Sequence, residues 1–263
     1  KNRLGGTVDV YYRKSTDLLY TYPVNVPPYI YPSLFTNVGE IGNNGVEISV
    51  NAKAVQKADF NWTTTLTFSK NNNKLISFTN EEFNSPYIET GQLYNDFPIK
   101  VQRLYEGKPI GTFYGPEWVG IDSKGQDIFK NDTAISSTNK SDTTTLYNEA
   151  YIGPIGNAMP FCILGWSNAL TYKDWDLNFS FRAQIGGEVL NTYRLYYENW
   201  VVLGKNIVHT QLDHPEFTGK AQYSSKYIEN ATYLKLDNIS LGYNVPMHWK
   251  YISKLRVNFT AQN

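Results

Sequence analysis

Few side chains in this sequence are placed to do chemistry. His209, Asp213, His214 and Glu216 carry metal-ligating atoms within one short stretch. Their spacing fits no defined zinc site, so they read as solvated loop residues. Asp122-Ser-Lys-Gly-Gln-Asp127 offers oxygen donors but lacks the ligand spacing and terminal glutamate of a calcium loop. Gly39, Gly42 and Gly45 suggest a phosphate-binding loop only superficially, because no helical pattern follows them. No serine, cysteine or carboxylate constellation supports catalysis. The expectation is a protein that is not an enzyme and holds no cofactor or metal. Binding is the more plausible chemistry. Tyr20, Tyr22, Tyr29 and Tyr31 fall in one excursion, and Tyr193, Arg194, Tyr196, Tyr197 and Trp200 in another. Aromatic rings combine a flat apolar face with a polar edge and bury large area at little entropic cost. These residues are candidates to line a ligand path or meet a partner, or else they pack the loops against each other.

The elements that would position them are strands. From Asp176 the chain alternates strictly: Leu177, Phe179, Phe181, Ala183 and Ile185 point one way, Asn178, Ser180, Arg182 and Gln184 the other. Such period-two alternation makes a strand with one apolar and one wet face. The pattern recurs at 7–13, 46–53, 60–69, 164–172, 233–243 and 255–262. Thr64 is the one polar residue in the apolar row Phe60, Trp62, Leu66, Phe68. In 233–243 the apolar phase slips between Leu236 and Ile239, which a β-bulge at Asp237-Asn238 would repair.

Short turns at 56–59, 173–174 and roughly 246–253 alternate with long excursions at 14–44, 71–160 and 191–227. Gly39 to Gly45 mark tight turning at the end of the first excursion, and 122–148 looks like surface loop. A short helix fits the segment starting at Tyr193. Membrane barrels show this asymmetry, with short turns on one side and long loops on the other. Strands of about ten residues are long enough to cross a bilayer when tilted. Tyr12, Trp62, Tyr172, Trp175, Tyr243 and Trp249 lie near strand ends, where an interfacial aromatic girdle sits. An odd count of seven does not close a barrel by itself, so the chain reads as part of something longer.

Composition agrees with this reading. The chain has 263 residues, 24 basic and 24 acidic, and 15% aromatics. Zero net charge argues against a nucleic-acid partner. A single cysteine, Cys162, excludes an internal disulfide framework. No apolar run is long enough for a transmembrane helix, which leaves a barrel open.

Several stretches carry a family likeness. Asn37-Val-Gly-Glu-Ile-Gly-Asn-Asn-Gly-Val-Glu47 with Asp59-Phe-Asn-Trp62, Glu106-Gly-Lys-Pro-Ile-Gly-Thr-Phe-Tyr-Gly115 and Leu170 to Phe181 resemble the SusC/RagA-type TonB-linked outer-membrane transporters. The most specific is Tyr227-Ile-Glu-Asn-Ala-Thr-Tyr-Leu-Lys-Leu-Asp-Asn-Ile-Ser-Leu-Gly-Tyr-Asn-Val-Pro246, followed by Leu255 to Asn263. The resemblance implies an all-β fold: an antiparallel transmembrane segment of about seven or eight strands from a plugged barrel of about 22. Residues 1–263 would belong to its C-terminal half, without the plug, the TonB box and the final strands. It further implies nutrient import, of oligosaccharides or peptides, across the bacterial outer membrane. The partners it implies are a SusD-type surface lipoprotein, the TonB complex and outer-membrane lipid. A soluble β-sandwich that binds glycans is the alternative reading of the same alternation, since its apolar faces would bury each other.

Overall fold

The computed structural model describes residues 2–78, 85–93, 99–133, 141–198, 206–213, 219–247 and 250–263. In chain order, β1 (Leu4–Ser15) leads through the hairpin β2 (Leu19–Pro23) and β3 (Ser33–Asn37) to β4 (Glu40–Gln56) and β5 (Phe60–Ser77). A long insertion holds β6 (Ile88–Gln92), β7 (Lys100–Leu104), β8 (Thr112–Pro116), β9 (Trp118–Ile121), β10 (Asp127–Lys130), β11 (Thr143–Thr144) and β12 (Ile152–Asn157). The chain then returns in β13 (Cys162–Tyr172) and β14 (Trp175–Ile185). A second insertion holds β15 (Glu188–Leu190), α1 (Thr192–Tyr197), α2 (Thr210–Asp213) and β16 (Ile228–Asn230), before β17 (Tyr233–Val245) and β18 (Leu255–Gln262).

The strands recognised by alternation form one antiparallel sheet of seven, ordered β1-β4-β5-β13-β14-β17-β18. Its register explains why the alternation is so clean. Val8, Ile48, Phe68, Leu164, Ala183 and Leu234 pair in turn across six strands, and Val50, Leu66, Trp166, Phe181 and Leu236 form the next row. The opposite face carries Asn51, Thr65, Ser167, Ser180, Asn238 and Gln262 in one such row. A slip of one residue in any strand would move its whole apolar set to the wet side, so the register is strongly specified.

The apolar face is open. Val10 is 79% exposed, Phe259 69% and Leu66 52%. A sandwich would bury these residues against a second sheet, so the alternative reading is set aside. The sheet is a barrel wall that does not close within this chain. Its polar intrusions Thr64 and Asn168 accept hydrogen bonds from neighbouring tryptophans. The Trp166 indole N–H donates to Thr64 Oγ1 at 2.8 Å, and that of Trp62 to Asn168 Oδ1 at 3.0 Å. Each bond satisfies a tryptophan donor where an unmade bond is costly, although the Asn168 Nδ2 itself stays buried without a partner among the described residues.

The bulge falls where the phase slip requires it. Ser180 pairs with Asn238 and Phe181 with Leu236, which leaves Asp237 as the extra residue. Asp237 turns to the wet face and meets Arg182 at 3.1 Å.

Three expectations need correction. Residues 40–45 are strand rather than turn; only Gly39, at φ +109°, has turn geometry. Gly45 serves a close approach instead, since a Cβ there would stand 2.5 Å from the Tyr11 ring. Likewise β5 runs on to Ser77, and its Asn71 to Asn73 pair with Gly45 to Asn43. Both extensions are rich in Asn, Gly and Lys, as suits strands that have left the apolar band for water, while their Ile41 and Leu75 turn to a separate core. The stretch 122–148 is also not plain loop, because it contains β10 and β11.

All three long excursions leave from one end of the sheet, and the three short connections lie at the other. The insertions fold into small sheets of their own, β12-β8-β7-β6 and β11-β10-β9, and none of their strands joins the seven. One core of Tyr22, Val38, Leu75, Phe78 and Ile88 ties the β2–β3 hairpin to the top of β5. Another, of Val101, Phe113, Leu195, Ala221, Tyr223 and Tyr227, welds the two large insertions together.

Candidate functional site

At the loop end of the sheet, the β2–β3 hairpin distributes its tyrosines unequally. Tyr22 is fully buried in the hairpin core, and Tyr20 packs against that core half-buried. Tyr29 is half-buried at the turn, whereas Tyr31 is 73% exposed beside the still more exposed Ile30. A buried ring cannot meet a ligand in this conformation, so Tyr31 is the hairpin's outward-facing ring and Tyr22 its anchor.

The second cluster sits on α1. Asn191 caps the helix, its side chain accepting from the Arg194 amide at 3.0 Å. Tyr193 and Tyr197 lie one turn apart on the outer face with ring centroids 5.0 Å apart, and Tyr193 is exposed. Tyr196 is half-buried. Arg194 points inward and pairs with Glu198 at 2.8 Å and Glu229 at 2.7 Å. Lys226 extends the network to Glu198 at 3.5 Å and Asp127 at 3.4 Å, and the Trp118 indole donates to Asp127 at 2.8 Å. Burial pushes the Asp127 carboxyl up, against the pull of Lys226. The hydrogen bond from Arg194 holds Glu229 below its ordinary range. Arg194 is thus a strut within the second insertion, locked by two carboxylates, while Lys226 reaches across to Asp127 of the first.

Trp200, His214, Glu216 and Trp249 lie outside the described residues. Among the described residues no group of three histidine, cysteine or carboxylate side chains could hold a metal ion. Asp122 Oδ1 instead accepts from the amides of Lys124 and Gln126, which makes that stretch a closed turn.

The structure also assembles a cleft that sequence reading did not find. Glu89 of β6 stands opposite Arg103 of β7, 3.2 Å apart, and the Arg103 guanidinium lies 4.3 Å over the Tyr87 ring. Tyr105 continues the row, 5.4 Å from Tyr87 and 5.0 Å from Tyr114 of β8. The adjoining cavity, of about 350 Å³, is lined by Glu89, Lys100, Arg103 and Tyr114, with Tyr147 and Tyr223 at its base. The base is rigid: Tyr147 donates to the Tyr223 carbonyl at 2.8 Å, and Tyr223 to the Val101 carbonyl at 2.9 Å. Gly115 lets Tyr223 in, since a Cβ there would come within 2.6 Å of its ring. Burial pushes the Tyr147 phenol up to about 12 and raises Tyr114, so both stay protonated donors. The only signal in the sequence was Glu106 to Gly115, whose Tyr114 gave no hint of its distant partners.

The wet face of the sheet is a second polar surface. Ser180 accepts from Asn238 at 2.8 Å, Arg256 pairs with Asp176 at 2.7 Å, and a shallow depression runs over Thr63, Thr65, Ser167 and Asn178. Among barrel walls, such a face suits a wide aqueous interior.

No family model matches the chain. Among curated proteins it is similar to TonB-dependent receptor P3 of Formosa agariphila, 31% identical over 263 residues, with 93% of this chain and 26% of that protein covered. It is 28% identical to TonB-dependent receptor SusC of Bacteroides thetaiotaomicron over 256 residues, covering 94% of the chain and 25% of SusC. The chain therefore spans about a quarter of the length of these relatives. Among solved structures it superposes on the RagAB peptide importer in its closed-closed state with a TM-score of 0.77 at 25% identity, covering 99% of this chain and 30% of that one. A second structure of the RagAB peptide transporter gives 0.75 at the same identity, covering 100% and 30%.

Proposed function

The chain belongs to the SusC/RagA-type TonB-dependent receptors, and on that premise we propose that it forms a sector of an importer that takes up nutrient across the bacterial outer membrane. Receptors of this family reside in that membrane and are transporters rather than enzymes. The observation that carries the reading is the two-faced wall: apolar rows continuous over six strands on one side, polar rows on the other. The apolar side meets lipid and the polar side lines the lumen. In this reading residues 1–263 form part of the C-terminal half of a plugged barrel, with plug and final strands supplied by the rest of the protein, and the order of the matching motifs supports it.

The long excursions are extracellular in this reading. Tyr31 and Tyr193 then stand where a SusD-type surface lipoprotein would seat, with Tyr20, Tyr29, Tyr196, Tyr197 and Trp200 around them and Tyr22 and Arg194 holding them in place. Passage is driven by the TonB complex acting on the missing N-terminal part. The substrate is an oligosaccharide or a peptide. Support for the lipoprotein comes from the likeness to the two-component RagAB importer. The test uses the full-length protein in its own host. Outer membranes should yield it in complex with a SusD-type lipoprotein, and deletion of TonB should abolish uptake of its substrate. Uptake that survives loss of TonB would overturn the proposal.

A further inference from the structure

The cleft beside Arg103 is the strongest feature that barrel architecture leaves unexplained. Its ion pair is loose. Arg103 meets Glu89 through one nitrogen at 3.2 Å, with the two side chains 23% and 41% exposed. Exposed single-contact pairs of this kind stabilise little. A guanidinium carries five N–H donors in a planar fork, and the fork matches a carboxylate in two parallel bonds. Tyr87 beneath it fixes the plane of that fork. Lys100 adds a second cation on the same cavity wall, so cations outnumber the single carboxylate there.

The rest of the lining is as telling. More of it is polar than apolar, whereas small-molecule pockets are usually the reverse. Tyr114, its ring tilted against Tyr105 at 5.0 Å, adds a phenol to that lining. At about 350 Å³ the cavity sits at the low end of the ligand-pocket range, room for one sugar ring of a longer chain.

From this geometry we propose that the cleft between β6, β7 and β8 binds an acidic oligosaccharide. Arg103 reads the carboxylate of a uronate residue, Lys100 supports its charge, and Tyr114 bonds its hydroxyls. Glu89 holds the guanidinium in place until the ligand's carboxylate joins it. The inference rests on the importer reading, of which it specifies the substrate class.

The test is calorimetric, on the purified full-length transporter with its lipoprotein. Oligogalacturonate should bind, and a neutral oligosaccharide of equal length and an aspartate-containing peptide should bind much more weakly. Arg103→Gln should cut affinity for the acidic sugar roughly tenfold or more, since a two-bond charged contact is lost. Arg103→Lys, which keeps the charge but not the fork, should fall between. Co-purification of the lipoprotein and an unchanged melting temperature identify variants that have folded, and Lys100→Gln serves if Arg103→Gln does not. Equal binding of acidic and neutral sugars, preference for the peptide, or full affinity in a folded Arg103→Gln protein would each overturn the assignment. These binding results stand apart from TonB dependence of uptake, so the cleft and the importer reading can fail separately.

Discussion

Arginine placed at Phe181 gives the sharpest measure of which face meets lipid. Phe181 lies near the middle of β14, stacks on Trp166 with centroids 5.9 Å apart and meets Phe179 edge-on at 5.9 Å. Phe181→Arg sets a charge at the centre of the apolar band, which costs about 2–4 kcal/mol in barrels of this kind. Loss of the ring contacts adds about 0.5–1.5 kcal/mol. Ser180 is the neighbouring residue on the wet face, where it accepts one hydrogen bond from Asn238. Ser180→Arg should therefore cost only about 1 kcal/mol, the worth of that bond. The assay is denaturant unfolding of the full-length protein in lipid vesicles. Arginine at Leu177 or Ile185, toward the strand ends, should cost less than at Phe181, because the penalty falls toward the interfaces. An equal penalty at 177, 181 and 185, or Ser180→Arg as harmful as Phe181→Arg, would refute the assignment of faces.

Cysteines introduced at 31 and 193 should react with an impermeant reagent on intact cells, while those at 57 and 174 should not; external labelling at 57 or 174 would invert the topology. Tyr31→Ala, at an exposed ring, should weaken lipoprotein association or uptake with barrel assembly intact, and unchanged capture and transport would return Tyr31 to a packing role. The Arg194–Glu229 link makes the second insertion acid-sensitive. Glu229 has a folded pKa lowered by its hydrogen bond to Arg194, so its contribution is complete above its ordinary value of 4.5 and is lost as pH falls through the lowered folded value. Hydrogen exchange over 188–190 and 228–230, corrected for its intrinsic pH dependence, should show opening in that range. Glu229→Gln should flatten the response, and a mutant with the same acid profile would count against the link.

The seven-stranded wall was legible because both of its faces are constrained. Leu177 to Ile185 alternate without exception, and the slip from Leu236 to Ile239 located the bulge at Asp237 within a residue. Legibility ended where the strands enter water. Asn71 to Asn73 carry no apolar face, so nothing in their order distinguished strand from loop. The insertions were opaque for a different reason. Tyr22 looks like its neighbour Tyr20 until Leu75 and Phe78 are brought against it, and Arg103 gains meaning only from Glu89 and Tyr87. Short strands joined by distant pairings leave no periodic trace. The position of the short helix after Asn191 was readable, but the inward turn of Arg194 was not.

The insertion between β5 and β13 leaves and re-enters the wall at adjacent strands, whose Phe68 and Leu164 are direct neighbours. Viewed as inheritance, it is a cassette: a lineage can replace residues 78–161 by recombination without disturbing a single pairing in the barrel. The replacement is not entirely free. Tyr223 from the second insertion donates to the Val101 carbonyl of the first, and Leu195 and Tyr227 share its core. An incoming cassette must therefore bring, or be followed by, matching changes at 191–227. Diversification at this end of the molecule should proceed in linked pairs of segments while the wall beneath them stays fixed.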